Sequence, residues 1–189
     1  MYVKLLDIKG SWRHVADTAR TTVNMPQGEG EPPSLWKKKM LLAEHSPIRK
    51  LILAWKWIDI KYWISVHFVR HKFGIEHFVR SQRDDRTGIP RDDLPQSSLV
   101  DHECEANAQA IINISRKRLC RNAHIETREA WQKFLDTVVK PYIPELYEVC
   151  VPDCVYRGWC YEINSCGYFR TYDYHVRLLQ YRKNINSNT

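Results

Sequence analysis

The stretch from Arg70 to Arg83 reads RHKFGIEHFVRSQR and concentrates groups that bind anions. Four cations fall within these fourteen positions, together with the hydroxyl of Ser81. Guanidinium groups bind phosphate oxygens in a planar fork, and a lysine adds a point charge. The stretch therefore predicts a phosphate-binding segment. A charge run that stands alone is more often a solvated basic loop, and that alternative stays open here.

Length and hydropathy predict a folded protein that does not span a membrane. The 189 residues suit one domain, or one domain with a small appendage, and 43% hydrophobic residues are enough for a core. No apolar run approaches the roughly 20 residues that a bilayer requires. The segment Met1–Leu6 lacks the architecture of a signal peptide. We therefore expect a soluble, cytoplasmic protein.

The overall charge indicates an anionic partner without identifying it. The formal net charge is +7, and the calculated pI is about 9.1. Such a balance suits the phosphates and carboxylates of nucleotides, flavins or folates, and it also suits nucleic acid.

Periodicity and breaker residues predict alternating strands and helices, with Ser11 and Ser34 as helix N-caps. The predicted elements are a strand at 2–8, helices at 11–22 and 34–44, a loop at 24–33, a buried strand at 51–60, a helix at 61–69, a surface loop at 86–98, and helices at 99–122 and 125–139. The basic triplet that begins at Arg70 then lies at or just beyond a helix end, before a returning strand or loop. In the helix at 99–122, a spacing of 100° per residue aligns Asn107, Ile111 and Arg118.

Three separated segments contain polar motifs in a fixed order. They are His45-Ser46-Pro47-Ile48-Arg49, then Val69 to Arg83, then Asn107-Ala108-Gln109 through Asn113 to Arg118, followed by Ala123, Glu126 and Arg128. In order and approximate spacing they resemble the flavin-dependent thymidylate synthase family. Lys72 stands where that family has a third signature arginine, and Gln109 replaces a helix arginine. The resemblance covers roughly residues 11–170.

The resemblance implies an architecture. We expect an α+β fold with a mixed or antiparallel sheet and long packed helices, assembled as a homotetramer with active sites between subunits. Residues 1–148 would form the synthase-like domain, and residues 149–189 a cysteine-rich extension packed on it. The end of this extension interleaves aromatic and basic residues. It is predicted to be a strand or helix packed on the core, and single-strand nucleic-acid binding is the alternative.

The resemblance also implies a reaction. The family methylates dUMP to dTMP with methylenetetrahydrofolate, using reduced FAD as hydride donor and NADPH as reductant; the flavin performs the redox chemistry while the protein positions it. One alternative is a related flavin- and folate-dependent hydroxymethylase of another pyrimidine nucleotide. A second alternative is a non-catalytic relative that binds nucleotide or nucleic acid.

The family's functional residues map onto positions in this chain. Arg118 would face the uracil ring and stabilise negative charge there, with Ser81 as its catalytic partner. The nucleotide would be bound by His67, Arg70, Ser81, Arg83 and Arg118. The flavin would be lined by Ser46, His71, Lys72, Asn107 and Asn113.

Six cysteines predict a metal site near the C-terminus. They are Cys104, Cys120, Cys150, Cys154, Cys160 and Cys166. The spacing Cys154-x5-Cys160-x5-Cys166, with Cys120 as fourth ligand, supplies four thiolates for a tetrahedral structural zinc. Cys150 lies one helical turn before Cys154 and could replace Cys120. The alternative is that all are free, reduced thiols, and Cys104 is expected to be a small core residue.

Overall fold

A computed structural model describes residues 1–186 and contains one four-stranded sheet. The strands are β1 (Tyr2–Lys9), β2 (Ile52–Lys61), β3 (Ile75–Val79) and β4 (Leu99–Asn107). They lie in the order β1-β2-β4-β3, and every neighbouring pair is antiparallel. With the helices described next, this confirms the expected α+β class and its antiparallel sheet.

Ten α-helices and three 3₁₀ turns surround this sheet within residues 1–186. The α-helices are α1 (Trp12–Thr21), α2 (Ser34–Leu42), α3 (Tyr62–Phe68), α4 (Asp84–Thr87), α5 (Ala108–Arg118), α6 (Ile125–Phe134), α7 (Lys140–Tyr142), α8 (Pro144–Val149), α9 (Asp153–Arg157) and α10 (Tyr172–Asn186). The 3₁₀ turns are Ser46–Lys50, Arg91–Asp93 and Tyr168–Arg170. No helix in this part of the chain is long and apolar enough to cross a membrane.

The predicted helix at 99–122 is wrong over its first half, which forms the strand β4. Burial there alternates: the side chains of Val100, His102, Cys104 and Ala106 face the core, and those between them are half-buried or exposed. This period of two belongs to a strand. Two of the acidic residues between them pair with lysines of other strands: Asp101 pairs with Lys56 of the adjacent β2 at 3.0 Å, and Glu105 pairs with Lys9 of β1, one strand further away, at 2.5 Å.

Two smaller expectations also need correction. Ser34 is the first residue of α2 rather than its cap, since Pro33 occupies the N-cap position and provides no side-chain bond. The helix that begins at Ile125 does not stop before Pro141. It continues through a π-helical turn, Leu135–Val139, into the short α7, in which Pro141 is the second residue. Ser11 caps α1 as predicted, accepting a bond from the amide of His14 at 3.1 Å.

Aromatic side chains join α3 and α6 to one face of the sheet. Trp57 of β2 stacks on Phe68 of α3 with ring centroids 4.6 Å apart, and Trp55 stacks on Phe134 of α6 at 4.1 Å. Trp57 Nε1 also donates a hydrogen bond to the carbonyl oxygen of Ala130 at 3.2 Å. The C-terminal end of α3, where the Arg70 segment begins, is therefore anchored in the best-packed part of the core.

The C-terminal extension contributes to the same buried cluster as the rest of the chain. Tyr168, and Tyr174 and Tyr181 of α10, are buried together with core residues of the sheet and of α6. Tyr174 and Tyr181 thus pack inward from a helix, whereas Tyr172 at the start of that helix is 82% exposed. The division of the chain at residue 148 stays a prediction.

Gly10 makes a close approach that sets one stability prediction. It has φ of +80° between β1 and α1, and a Cβ there would lie 2.0 Å from the carbonyl oxygen of Lys50. We expect Gly10→Ala to lower the free energy of unfolding by about 2 kcal/mol or more, from left-handed backbone strain plus this collision. Urea titration of each variant measures the loss.

Gly30 provides the matched control for this substitution. It has φ of +75°, but no atom lies within 4 Å of the point that a Cβ would occupy, so Gly30→Ala should lose only about 1 kcal/mol from the backbone term. Equal losses in the two variants would contradict the close contact between Gly10 and Lys50.

Candidate active site

Arg118, the last residue of α5, is the centre of a polar cluster at the end of α3. Its side chain is half-buried. Its Nε donates to Nε2 of His71 at 2.9 Å, and its Nη2 donates to the carbonyl oxygen of His67 at 2.5 Å. Two of the three guanidinium nitrogens are thereby fixed. Within residues 1–186 the third, Nη1, has no hydrogen-bond partner and is free to meet a ligand.

The imidazoles around Arg118 are neutral, and no ion pair within the described residues joins Arg118 to a carboxylate. Burial, with the charges of Arg118 and His77, lowers the pKa of His71 to about 4. Burial, followed by Arg118 and Arg70, lowers the pKa of His67. Burial and then Arg70 lower the pKa of Arg118 itself, yet a guanidinium remains protonated at neutral pH. The cluster therefore attracts anions.

Arg70 and Lys72 add exposed cations beside this cluster. Both lie just beyond the end of α3, where the sequence predicted the basic triplet. Neither forms an ion pair within residues 1–186, whereas many other cations of the chain do. The positive charge of Arg70 helps to lower the pKa of both Arg118 and His67, so it adds to the positive potential of this cluster.

A buried chain of hydrogen bonds, called the relay below, runs from Ser65 through His102 and His77 to the backbone carbonyl of His71. His77 Nε2 donates to the His71 carbonyl oxygen at 2.9 Å, which leaves His77 Nδ1 as an acceptor. His102 Nε2 then donates to that Nδ1 at 3.0 Å, and the hydroxyl of Ser65 donates to His102 Nδ1 at 3.0 Å. We assign these proton positions because they alone give every ring nitrogen a partner in one continuous chain.

The relay is neutral at physiological pH. Burial and the neighbouring His77 lower the pKa of His102 to about 3, and burial lowers the pKa of His77. Protonation of either imidazole would leave two donors facing each other. The relay is therefore a rigid, uncharged support under the turn that presents His71 to Arg118.

Cys104 completes a compact group with these two histidines. Its Sγ lies 3.2 Å from His77 Nδ1 and 3.2 Å from His102 Nε2. Within residues 1–186 this is the one group of His, Cys or acidic residues whose possible ligand atoms all lie within 4.8 Å of one another. The relay satisfies both rings, and burial raises the pKa of the Cys104 thiol well above its usual value. Hydrogen bonding thus accounts for the group without a metal ion.

Sequence reasoning missed this relay because it read residues 99–107 as helical. In a helix, His102 and Cys104 would point to different faces, whereas in β4 they share the buried face. The alternation of acidic and small or apolar residues in Val100–Ala106 was the available signal. The partner His77 depends on strand register, since it lies opposite Cys104 in the β3–β4 pair.

The residues predicted for the flavin divide between the two ends of α5. Asn107 caps the N-terminus, where its side chain accepts from the amide of Ala110 at 2.9 Å and its backbone N–H donates to Gly74 at 3.0 Å. Asn107 and Arg118 are separated by about 16 Å of helix axis. His71 and Lys72 belong to the Arg118 end. Any single ligand that contacts both ends must be long.

Ser46 and Asn113 lie on the outer surface near α5. Ser46 is exposed at the start of the 3₁₀ turn, and Asn113 is exposed in the middle of α5. Asn113 Oδ1 accepts from Arg116 at 3.2 Å. Arg116 also bonds Glu44, which in turn accepts from Gln109 at 2.5 Å. This network, which the sequence did not predict, holds the end of α2 against α5.

Ser81 and Arg83 form their polar contacts within their own segment. Both are exposed, and Arg83 pairs with Asp85 at 2.9 Å while its amide donates to Ser81 Oγ at 3.3 Å. No hydrogen bond or ion pair within residues 1–186 joins either residue to Arg118. The two halves of the predicted nucleotide site are therefore not brought together by contacts inside one chain.

The four cysteines predicted to bind zinc do come together. Cys120, Cys154, Cys160 and Cys166 line one enclosed cavity beyond the end of α5. Burial, followed by the three neighbouring cysteines, raises the pKa of the Cys154 thiol to about 11. Cys150 lies elsewhere, fully buried beside Ser115.

Three solved structures share this architecture. The flavin-dependent thymidylate synthase ThyX from Helicobacter pylori, complexed with FAD and dUMP, matches with a TM-score of 0.64 at 13% identity, over 80% of this chain and 100% of that one. A second structure of the Helicobacter pylori enzyme with FAD and dUMP matches with a TM-score of 0.64 at 12% identity, over 80% and 99%. A UMP/dUMP methylase, PolB from Streptomyces cacaoi bound with 5-Br dUMP, matches with a TM-score of 0.59 at 15% identity, over 78% and 93%.

These matches define the fold. The chain has the fold of the flavin-dependent thymidylate synthases, as the order of its sequence motifs predicted. No protein-family model and no curated protein sequence matches the chain. At 12 to 15% identity the likeness extends to the fold alone.

Proposed function

We propose that this protein methylates dUMP to dTMP in a reaction that depends on FAD, NADPH and methylenetetrahydrofolate. The observation that supports the proposal most directly is the environment of Arg118. In a fold shared with enzymes solved with FAD and dUMP, a half-buried guanidinium is fixed by two donated bonds and faces neutral imidazoles. That arrangement leaves its charge available to a ligand.

Arg118 would act on the pyrimidine ring. When C5 of the uracil becomes nucleophilic, negative charge develops on the ring oxygens. A guanidinium that is already oriented can stabilise this charge without reorganising, and such preorganised groups are worth several kcal/mol of barrier. His67, with its Nδ1 bonded to Thr127 Oγ1 at 2.9 Å, would border the same ring as a neutral group.

The flavin would extend from the Arg70 segment along α5. Lys72 and His71 would contact it near Arg118, while Asn107, with Ser46 and Asn113 further out, would contact it near the start of α5. Gly74 has φ of +73°, and a Cβ there would lie 2.6 Å from Asn107 Nδ2, so the backbone reaches Asn107 only because this residue is glycine. Reduced FAD would supply a hydride, with NADPH as reductant and methylenetetrahydrofolate as carbon donor.

The nucleotide site would be completed by a second subunit of a homotetramer. Arg70 and Arg118 of one subunit would bind the nucleotide. The exposed Ser81 and Arg83 of the next subunit would reach the phosphate and ring of the same nucleotide. The pair between Arg83 and Asp85 is exposed on both sides, so its net stabilisation is at most about 1 kcal/mol and a phosphate could displace Asp85. Light scattering of the purified protein tests the tetramer.

A second candidate concerns the nucleotide rather than the reaction class. The third structural match acts on UMP as well as dUMP by its name. A related pyrimidine nucleotide, methylated or hydroxymethylated at C5, is therefore the substrate to test beside dUMP. Release of tritium from C5-labelled dUMP and from C5-labelled UMP distinguishes the two.

Flavin binding is the first expected result. Purified protein should be yellow, with bound FAD that is displaced on denaturation. Lys72→Ala should weaken FAD binding by about tenfold or more, because a charge-assisted hydrogen bond is worth about 1.5–3 kcal/mol. Fluorescence quenching of added FAD measures the dissociation constant.

Lys4→Ala is the matched control for Lys72→Ala. Lys4 is an exposed lysine on β1, the edge strand opposite β3, and its loss should leave FAD affinity unchanged. A colourless protein that takes up no added FAD would refute the proposed enzyme. Bound flavin without tritium release from either nucleotide would favour the non-catalytic alternative.

A further inference from the structure

We propose that Cys120, Cys154, Cys160 and Cys166 bind one structural zinc ion that fastens the C-terminal extension to the end of α5. The site is separate from the candidate active site and does not depend on the proposed reaction. It rests on where the four side chains lie in the fold.

The four cysteines converge from four different positions of the chain. Cys120 follows the end of α5, Cys154 lies in α9, and Cys160 and Cys166 belong to the segment that leads to the 3₁₀ turn at Tyr168. All four line the same enclosed cavity, whose free volume of about 10 Å³ matches a single small ion or water molecule. Four thiolates around one point form the usual closed tetrahedral zinc site.

The lining of the cavity distinguishes the four proposed ligands from the other two cysteines. Cys150, which the sequence left open as a replacement for Cys120, is fully buried near Ser115 and does not line the cavity. Cys104 belongs to the histidine relay under the sheet. The remaining four are the set that the spacing favoured. An all-thiolate donor set favours zinc among the common divalent ions of cells.

The segment 158–167 has few polar ties to the rest of the chain, so a metal bond to Cys160 and Cys166 would add to its anchoring. It has no helix or strand and is bounded by Gly158 and Gly167, both left-handed. The side chain of Ile163 is 100% exposed, and Trp159 is 55% exposed with its ring packed edge-on against Phe169 at 4.6 Å. One of its few bonds to the rest of the chain runs from Asn122 Nδ2 to the Asn164 carbonyl oxygen at 2.6 Å. Metal coordination can supply folding energy.

Coordination would draw this segment inward. Among the described residues only the His77 group has three ligand atoms that all lie within 4.8 Å of one another, so no three of the four cysteine sulfurs are that close together. Zinc–sulfur bonds of about 2.3 Å would bring neighbouring sulfurs to about 3.8 Å. The irregular segment that contains Cys160 and Cys166 can make this adjustment without moving a helix. On binding, the four thiols lose their protons to solvent and form four metal–sulfur bonds.

A zinc ion at this site would also restrain Arg118 in the candidate active site, because Cys120 and Arg118 are close in sequence. Cys120 is two residues beyond Arg118, so a metal bond to Cys120 anchors the end of α5. The nearby Lys117 and Glu162 approach each other only to 3.9 Å, which is a weak tie by comparison. The expected consequence is a fixed direction of the Arg118 side chain.

The decisive measurement is the metal content of the intact protein. Protein produced with zinc in the medium should contain one zinc per chain by mass spectrometry of the metal. Replacement by cobalt(II) should give a thiolate charge-transfer band and the intense visible bands of a tetrahedral site. Both readouts use the native chain and need no substitution.

Three variants locate the ion. Cys160→Ser, in the irregular segment, should lose the zinc and the cobalt spectrum, while Cys150→Ser should retain both. His77→Gln should retain zinc as well. Zinc that survives in Cys160→Ser but disappears in His77→Gln would place the metal at the His77–His102–Cys104 group and overturn the proposal. A native protein that contains no zinc and titrates as free thiols, or forms disulfides among these four, would also overturn it.

Discussion

Arg118→Lys should reduce turnover of the purified enzyme by about 100-fold or more. A lysine keeps the positive charge but cannot donate to His71 and to the His67 carbonyl while also presenting a third nitrogen to the nucleotide. Losing one preorganised donor at a developing oxyanion costs about 10²–10³ in the rate of the chemical step. Because the group acts mainly in the transition state, kcat should fall far more than KM rises.

The measurement is tritium release from C5-labelled dUMP at saturating cofactors, accompanied by the flavin content of each preparation. Lys117→Ala is the matched control, since Lys117 is adjacent, exposed and outside the cluster. It should have wild-type kcat. An Arg118→Lys enzyme with full flavin content and unchanged kcat would show that Arg118 is structural, and the proposed role would then have to be abandoned.

The fold was predictable from the sequence because its motifs are separated but ordered. The segments at Ser46, Arg70 and Asn107 each prove to lie at the boundary of a regular element: a 3₁₀ turn, the end of α3 and the start of α5. At the end of a helix or strand, a polar side chain can be fixed by a capping hydrogen bond and still be accessible to a ligand. Spacing alone therefore carried information about both architecture and site.

The strand β4 was not predictable by the same reasoning. The helical stripe from Asn107 to Arg118 is real, and extending it backward by two turns is consistent with residue spacing alone. What decides the conformation of 99–107 is cross-strand partners: Lys56 and Lys9 for its carboxylates, and β2 and β3 for its backbone. Such partners lie far along the chain and depend on register, which single-sequence periodicity does not contain.

The candidate site was predictable only in part for the same reason. Arg118 and His71 were each singled out, but their direct bond joins positions 47 residues apart. The support beneath them, from Ser65 through His102 and His77, combines a helix with two strands and follows from the antiparallel register of β3 and β4. Ser81 and Arg83 were predicted beside Arg118 through the family resemblance, and contacts within one chain do not test that.

Acid should destabilise the protein in a window set by the buried relay. The pKa of His102 is about 3 in the folded chain and about 6.5 when unfolded, so between these values the unfolded state binds more protons. Stability is therefore fully present above about pH 6.5 and falls as pH decreases toward 3. From pH 7 to pH 4, His102 alone should lower the free energy of unfolding by about 3 kcal/mol. His71, with a folded pKa of about 4, adds to the loss in the same direction.

Urea unfolding at a series of pH values tests this, with His102→Gln compared against the wild-type chain. Protonation of carboxylates lowers the free energy of unfolding of both proteins near pH 4. The informative quantity is therefore the difference between the two slopes of unfolding free energy against pH. His102→Gln should be less stable at pH 7, and its free energy of unfolding should decline by about 3 kcal/mol less than that of wild type between pH 7 and pH 4, because glutamine does not titrate while His71 and the carboxylates still do. His14→Gln, at an exposed histidine, should retain the full slope. Parallel slopes for wild type and His102→Gln would mean that His102 is not held neutral, and the relay beneath His71 would then lack its assigned protons.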